Sequence, residues 1–293
     1  MDGLDRERLA VGAHVSAVLD FQSASLSFGD RVLWSELTLA IGAGEFVAVL
    51  GPNGTGKTSL LKAVLGEQRV SSGSIRLLGA PVQHGDRRIG YIPQQKLIES
   101  GTPLRARDLI ALGLSGQRWG LPISRGAERV RIEELLEAVG ATAFANAPIA
   151  SLSGGEQQRV RVGQSIAADP ALLLCDEPLL SLDLAHQRDV SELIDAQRHR
   201  SAAAILFVTH DVNPILDMVD KVLYLAAGRF RIGTPDEVLT SSTLSELYGT
   251  PVDVFRSRGR IVVVGGPDSH EHHEHDHHAP DPHDLPAGSG RGI

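Results

Sequence analysis

The chain has 293 residues, 42% of them hydrophobic and 22% charged, with a formal net charge of −8. That size and balance fit one large domain or two small ones with a sizeable core, and exclude a fibrous or wholly disordered chain. The acidic balance argues against a nucleic-acid partner, no apolar run approaches the roughly 18 residues that cross a bilayer, and a single cysteine, Cys175, excludes an intrachain disulfide.

Residues 1–17 are expected to form a loose leader. Met1 to Ala10 carries Asp2, Asp5, Arg6, Glu7 and Arg8 and no apolar stretch of the secretory kind. Leu19–Phe28 and Leu37–Ile41 predict short strands, with a turn at Gly29-Asp30. Glu45–Leu50 predicts another strand, followed by a glycine-rich turn and a helix over Thr58–Leu65. Ser74–Leu78 and Arg88–Ile92 read as further strands. From about residue 97 to 163 the character turns helical, with 3.6-residue periodicity over Asp108–Leu114, Glu128–Val139 and Gln157–Ala168. Ala171–Cys175, Ala204–Thr209, Lys221–Ala226 and Ile261–Val264 then read as buried strands, with a helix over Asp183–Arg198 between two of them. This order predicts an α/β fold, a mostly parallel sheet with an inserted helical segment. Asp268–Ile293 holds six acids, one base and seven of the twelve histidines. It has too little apolar surface to offset its ordering entropy and reads as a disordered tail.

Gly51-Pro52-Asn53-Gly54-Thr55-Gly56-Lys57-Thr58-Ser59 contains the pattern Gly-x-x-x-x-Gly-Lys-Ser/Thr between a predicted strand and a predicted helix. Glycines let the backbone approach phosphates and aim successive N–H groups at them, and the helix start adds about half a positive charge. Lys57 is expected to reach the β- and γ-phosphates of a nucleotide, and the Thr58 hydroxyl to ligate Mg²⁺. Leu172-Leu173-Leu174-Cys175-Asp176-Glu177 is an apolar strand ending in two acids, and strand ends in such sheets open onto the ligand crevice. Asp176 is expected to hold Mg²⁺ and Glu177 to polarise the attacking water as a general base. Cys175 reads as a small buried hydrophobe.

A third run, Leu152-Ser153-Gly154-Gly155-Glu156-Gln157-Gln158-Arg159, precedes a predicted helix. Its first five residues are expected by accident in about one chain in two thousand, yet here they stand between the phosphate loop and the Asp176-Glu177 pair. In this order the runs resemble the ATP-binding subunit of ABC (ATP-binding cassette) transporters, over roughly Leu19 to Leu247. The resemblance implies a P-loop NTPase domain of the ABC type over residues 18–267: a mixed-sheet core, an antiparallel β subdomain and an inserted helical subdomain at about 97–163. It implies that Phe28 stacks on adenine and that Tyr91-Ile92-Pro93-Gln94 is the glutamine loop, Gln94 sensing Mg²⁺ or the attacking water. It implies also that Ser181-Leu182-Asp183 is the D-loop and that His210 is the switch histidine at the γ-phosphate. Ser153, Gly154, Gly155 and Glu156 would form a second anion-binding helix start, covering the ATP held by a partner subunit. Two chains would then sandwich two ATP molecules, with Asp183 communicating across the interface.

An ATPase of this kind implies further partners: a transmembrane permease, whose short helix would seat near Gln95–Leu114, and an extracytoplasmic metal-binding protein. The implied location is the cytoplasmic side of the cell membrane, as a peripheral subunit. Six arginines between Arg105 and Arg131 suit a polar interface there. The tail bears on cargo. His270, His272, His273, His275, His277, His278 and His283 alternate with acids, a ligand set that suits Zn²⁺ best. The body is similar to the zinc/manganese-type uptake ATPases of bacteria through Ile89–Gln95, Thr102–Leu114 and Cys175–Arg188, departing from commoner forms at Gly163-Gln164-Ser165. The expected function is therefore the motor of a divalent-metal importer, zinc before manganese. The alternatives are the ATPase of a haem, siderophore or cobalamin importer, and a non-transport ABC ATPase. A metal-storage protein using only the tail would leave the three runs unused.

Overall fold

The structure is a computed structural model, and it describes residues 17–94, 104–115 and 126–265. The leader residues 1–16, residues 95–103 and 116–125, and the tail beyond 265 lie outside the described residues.

β1 (Leu19–Phe28) and β2 (Arg31–Ile41) form an antiparallel pair across the Gly29-Asp30 turn. β4 (Ser72–Leu77) pairs antiparallel with the other edge of β1, and β5 (Ala80–Pro81) extends it, giving the order β2-β1-β4-β5. β2 starts at Arg31 rather than at the expected Leu37. Its first half buries Leu33 and Trp34, but bulges interrupt the β1–β2 register between Phe21 and Ser27. Ser23 and Glu36 take left-handed backbone there, so the two-residue alternation that marks a strand is broken.

The second sheet has the order β10-β9-β3-β8-β7-β6. It comprises β3 (Phe46–Leu50), β6 (Ile89–Ile92), β7 (Leu172–Asp176), β8 (Ala204–Val208), β9 (Lys221–Ala226) and β10 (Arg229–Gly233). β10 runs antiparallel to β9; the other neighbours are parallel. β3, β7 and β8 are buried along their whole length, which is why they read as unbroken apolar runs. Successive residues feed opposite cores. Phe46, Ala48, Leu173, Cys175, Ile205 and Phe207 pack against the helical layer. Val47, Val49, Leu172, Leu174, Leu206 and Leu223 pack against the antiparallel sheet and α1 (Lys57–Val64).

The helical layer contains α2 (Ala106–Ser115), α3 (Gly126–Ala138), α4 (Gly154–Ile166) and α5 (Leu184–Ser201). α4 starts three residues before the expected Gln157, because Ser153 and Glu156 form a capping box around Gly154-Gly155. Ser165 fastens α4 to the sheet, its hydroxyl bonding the Tyr91 carbonyl at 2.7 Å.

Beyond β10 come α6 (Pro235–Val238), α7 (Ser241–Tyr248), β11 (Asp253–Ser257) and β12 (Arg260–Val264). Ile261–Val264 is a strand but not the buried one expected. Among the described residues β12 pairs only with β11, in a separate two-stranded ribbon. Ile261 is buried, pinned through its N–H to the Asn213 side chain at 2.7 Å, while Val262, Val263 and Val264 are 49%, 42% and 50% exposed. Four consecutive apolar residues cannot distinguish a strand covered on both faces from a ribbon covered on one. Among the described residues, no helix is long and apolar enough to cross a membrane.

Candidate nucleotide site

The fully buried β3 delivers the chain to Gly51, and the loop ends at Gly56, the left-handed residue before α1. Gly51 has φ of +138°, and a Cβ there would stand 2.0 Å from the Leu225 carbonyl oxygen of β9. Only glycine lets the strand end turn so close to its neighbour. The Lys57 ammonium folds back into the loop, donating to the Gly51 and Pro52 carbonyls at 2.6 and 2.9 Å. Thr55 donates to the Pro52 carbonyl at 3.0 Å. Arg31, from the start of β2, donates to the Gly54 carbonyl at 2.8 Å and braces the loop from outside.

β7 ends beside this loop. The Thr58 hydroxyl lies 3.4 Å from Asp176 Oδ1, and the Tyr91 hydroxyl 3.4 Å from Asp176 Oδ2. Burial, then the adjacent Glu177 charge, raises the Asp176 carboxyl above its usual range. Burial and Asp176 push the Tyr91 phenol up to about 12. A buried carboxylate beside a hydroxyl is an all-oxygen donor pair of the kind Mg²⁺ takes, and a cation there would offset the burial that disfavours the charged form. The fit to Mg²⁺ and a nucleotide is therefore good at Thr58 and Asp176. Cys175, wholly buried, has its thiol pushed up by desolvation, in keeping with a packing role.

Glu177 takes left-handed backbone at φ of +46°, and its N–H donates to the Val208 carbonyl at 3.0 Å. Strained backbone of this kind in a non-glycine residue clusters at sites where geometry serves function. Its carboxylate stands 3.7 Å from His210 Nδ1. A cleft of about 330 Å³ is lined by Phe28, Arg31, Lys57, Thr58, Ser59 and Glu177, among others. Phe28 is 50% exposed there, free to present its ring.

The remaining expected residues lie elsewhere. Gln94 is exposed just past β6, at the edge of the described residues. Ser153 caps α4: its hydroxyl accepts from Glu156 N–H, and Glu156 returns to Ser153 N–H at 2.8 Å. That backbone bond, with the Ser153 hydroxyl, holds the Glu156 carboxyl below its usual value. Asp183 caps α5 by accepting from His186 N–H at 3.0 Å. None of Ser153, Gly154, Gly155, Glu156 and Asp183 lines the phosphate-loop cleft. A larger cleft of about 500 Å³ separates β6 from α2, with Tyr91, Pro93, Leu112, Gln164 and Ser165 in its walls. The tail histidines lie outside the described residues, and among the described residues no cluster of three or more His, Cys, Asp or Glu side chains could hold a metal.

Sequence reasoning assigned no role to Arg31, to the Tyr91 hydroxyl or to His186. Only His186 left a local signal, standing three residues after a capping Asp; the other two are contacts between segments distant in sequence.

Residues 34–180 match the ABC transporter family. A hemin import ATP-binding protein of Plesiomonas shigelloides is 34% identical over 270 residues, covering 83% of this chain and 99% of the relative. A zinc import ATP-binding protein of Pseudomonas fluorescens is 29% identical over 260 residues, covering 89% of each chain. The solved structure of an inward-facing, metal-chelate type ABC transporter superposes with a TM-score of 0.71 at 26% identity, over 84% of this chain and 96% of that one. With the match spanning the phosphate loop, the Ser-Gly-Gly turn and the Asp176-Glu177 strand end, the chain belongs to the ABC transporter family, as an ATP-binding subunit that hydrolyses ATP with Mg²⁺.

Proposed function

We propose that this chain is the ATP-hydrolysing motor of an ABC importer for a divalent metal, zinc first and manganese second. It works as a homodimer at the cytoplasmic face of the cell membrane, beneath a transmembrane permease fed by an extracytoplasmic metal-binding protein. The observation that carries the motor reading is the convergence of Lys57, Thr58 and Glu177 on one cleft with the exposed Phe28, with Asp176 beside it 3.4 Å from the Thr58 hydroxyl. Phe28 stacks the base, the loop from Gly51 to Ser59 wraps the phosphates, and Lys57 exchanges its two carbonyl partners for phosphate oxygens. Thr58 and Asp176, with Gln94, hold Mg²⁺, which when bound neutralises charge on the phosphates. Glu177 takes the proton of the attacking water, and His210, within 3.7 Å of it, steadies the γ-phosphate. The separation of the Ser153–Glu156 turn and Asp183 from this cleft supports their closing over a partner chain's ATP. The cleft between β6 and α2 supports a seat for a permease helix.

The metal half rests on the histidine- and acid-rich tail, whose donors suit Zn²⁺. Import of haem or another metal chelate is the second reading, favoured by the similarity to the hemin import protein and the metal-chelate type transporter. The test is the chain reconstituted with its permease in liposomes and offered a binding protein loaded with Zn²⁺, Mn²⁺ or haem. Uptake of Zn²⁺ or Mn²⁺ that requires ATP supports the proposal. Uptake of haem alone replaces it with the second reading, and a complex that hydrolyses no ATP overturns the motor assignment.

A further inference from the structure

His186 sits in the first turn of α5. Its main-chain N–H donates to Asp183 Oδ1 at 3.0 Å, the ordinary cap of a helix start. Its ring Nδ1 lies 2.7 Å from Asp183 Oδ2, so both carboxylate oxygens are engaged by one residue. The other edge of the ring lies on α4. A Cβ added to Gly155 would stand 2.4 Å from His186 Cδ2, 2.9 Å from Cγ and 3.1 Å from Nε2. Real Cβ atoms essentially never sit under 3.0 Å from a heavy atom of a residue distant along the chain. Gly155 is buried, and the Ser153–Glu156 box fixes the turn that carries it. A methyl at 155 therefore fits only if the ring moves, and the 2.7 Å contact with Asp183 ties the ring where it stands.

We propose that His186 is a positioning residue that locks Asp183 to the start of α4, its ring filling the space that a side chain at position 155 would need. The Ser153–Glu156 turn and Asp183 are then one mechanical piece within a single chain. Displacing either displaces the other, with no contact from a partner chain required. The packing claim stands on geometry alone; its catalytic consequence rests on the ATPase reading above.

The test is a double-mutant cycle on the full chain with Gly155→Ala, His186→Ala and the pair, read by melting temperature without nucleotide, with ATP turnover read on the His186 variants. Gly155→Ala should lower the melting temperature by roughly 4–8 °C in the wild-type background. With His186→Ala already present it should change it by no more than about 1 °C. Turnover is read on the His186 variants alone, because Gly155 belongs to the turn that closes on a partner chain's ATP: His186→Ala should lose about tenfold or more. His186→Asn, which keeps an amide donor near the place of Nδ1, should retain turnover within about threefold, with nucleotide affinity unchanged in both His186 variants. If Gly155→Ala costs the same melting temperature in both backgrounds, the ring does not fill the space a side chain at 155 would need and the proposal is wrong. If His186→Asn is as impaired as His186→Ala, the link to Asp183 is wrong. A wild-type chain without ATP turnover would overturn the motor reading and leave the melting cycle to decide the packing claim.

Discussion

Gly51→Ala tests how tightly the phosphate loop is built into the sheet. Two costs add at this position. A residue with a side chain at φ of +138° carries backbone strain of about 1–3 kcal/mol. The new methyl would lie 2.0 Å from the Leu225 carbonyl oxygen and 3.3 Å from Thr55 Oγ1, and forcing it into closed packing costs about 1–3 kcal/mol more. The sum, about 2–6 kcal/mol, lowers the melting temperature by roughly 4–24 °C for a domain of this size. Gly79→Ala is the control. Its φ of +78° is also left-handed, but nothing lies within 4 Å of the added Cβ, so strain alone acts, at about 1–2 kcal/mol. Thermal unfolding is followed with and without Mg-ATP. Ligand at a hundred times its dissociation constant stabilises the native state by about 2.7 kcal/mol, and Gly79→Ala should keep that increment. Gly51→Ala should lose most of it, because Lys57 is anchored on the Gly51 carbonyl. A Gly51→Ala chain that melts no lower than Gly79→Ala and still gains the full increment would refute the reasoning.

Glu177→Gln should cut ATP turnover by about 10²–10⁴-fold while keeping nucleotide affinity, since it removes the base and leaves the loop intact; stopped-flow or steady-state hydrolysis beside fluorescent-nucleotide binding checks both halves, and near-normal turnover contradicts the role. Glu156 is held below its ordinary value of 4.5 by its bonds to Ser153, so its contribution to stability is present above that pH and is lost as pH falls through the lower folded value. Glu156→Gln should therefore melt below wild type near neutrality, with the gap closing as pH falls below 4.5; a gap constant across that fall speaks against the capping carboxylate. Truncation after Pro267 should remove most of the Zn²⁺ bound per chain in a calorimetric titration and leave basal turnover within about a factor of a few. In the full chain that binding should weaken as pH falls through about 6.5, where imidazole takes a proton. Equal Zn²⁺ binding by the truncated chain would remove the tail from the argument for zinc.

The elements that sequence reading placed best are those whose signal is local. β3, β7 and β8 are covered on both faces, so their apolar runs are unbroken, and α5 announces itself by an Asp cap. The motifs sit at the ends of such elements, which made the phosphate loop and the Asp176-Glu177 pair legible. What escaped depends on distance along the chain. Arg31 meets Gly54 and Tyr91 meets Asp176 because strands from different parts of the sequence end side by side. No spacing rule encodes such a meeting. Val262–Val264 was misread for a related reason: hydrophobicity reports the tendency to be covered, while coverage depends on the neighbour, and among the described strands β12 has only β11.

The six-stranded sheet belongs to both cores at once, since β3, β7, β8 and β9 send alternate side chains to each. The wall between the two layers is one residue thick. Loss of either core strips the covering from one face of the same strands, leaving a row of large aliphatic side chains in water. Neither layer can therefore melt while the other persists, and heat should unfold this part of the chain in a single cooperative step, with calorimetric and van't Hoff enthalpies in agreement. Fraying belongs to the pieces that stand outside that wall, and the β11–β12 ribbon, with its valines half in solvent, should be the first of the described strands to exchange its amide hydrogens.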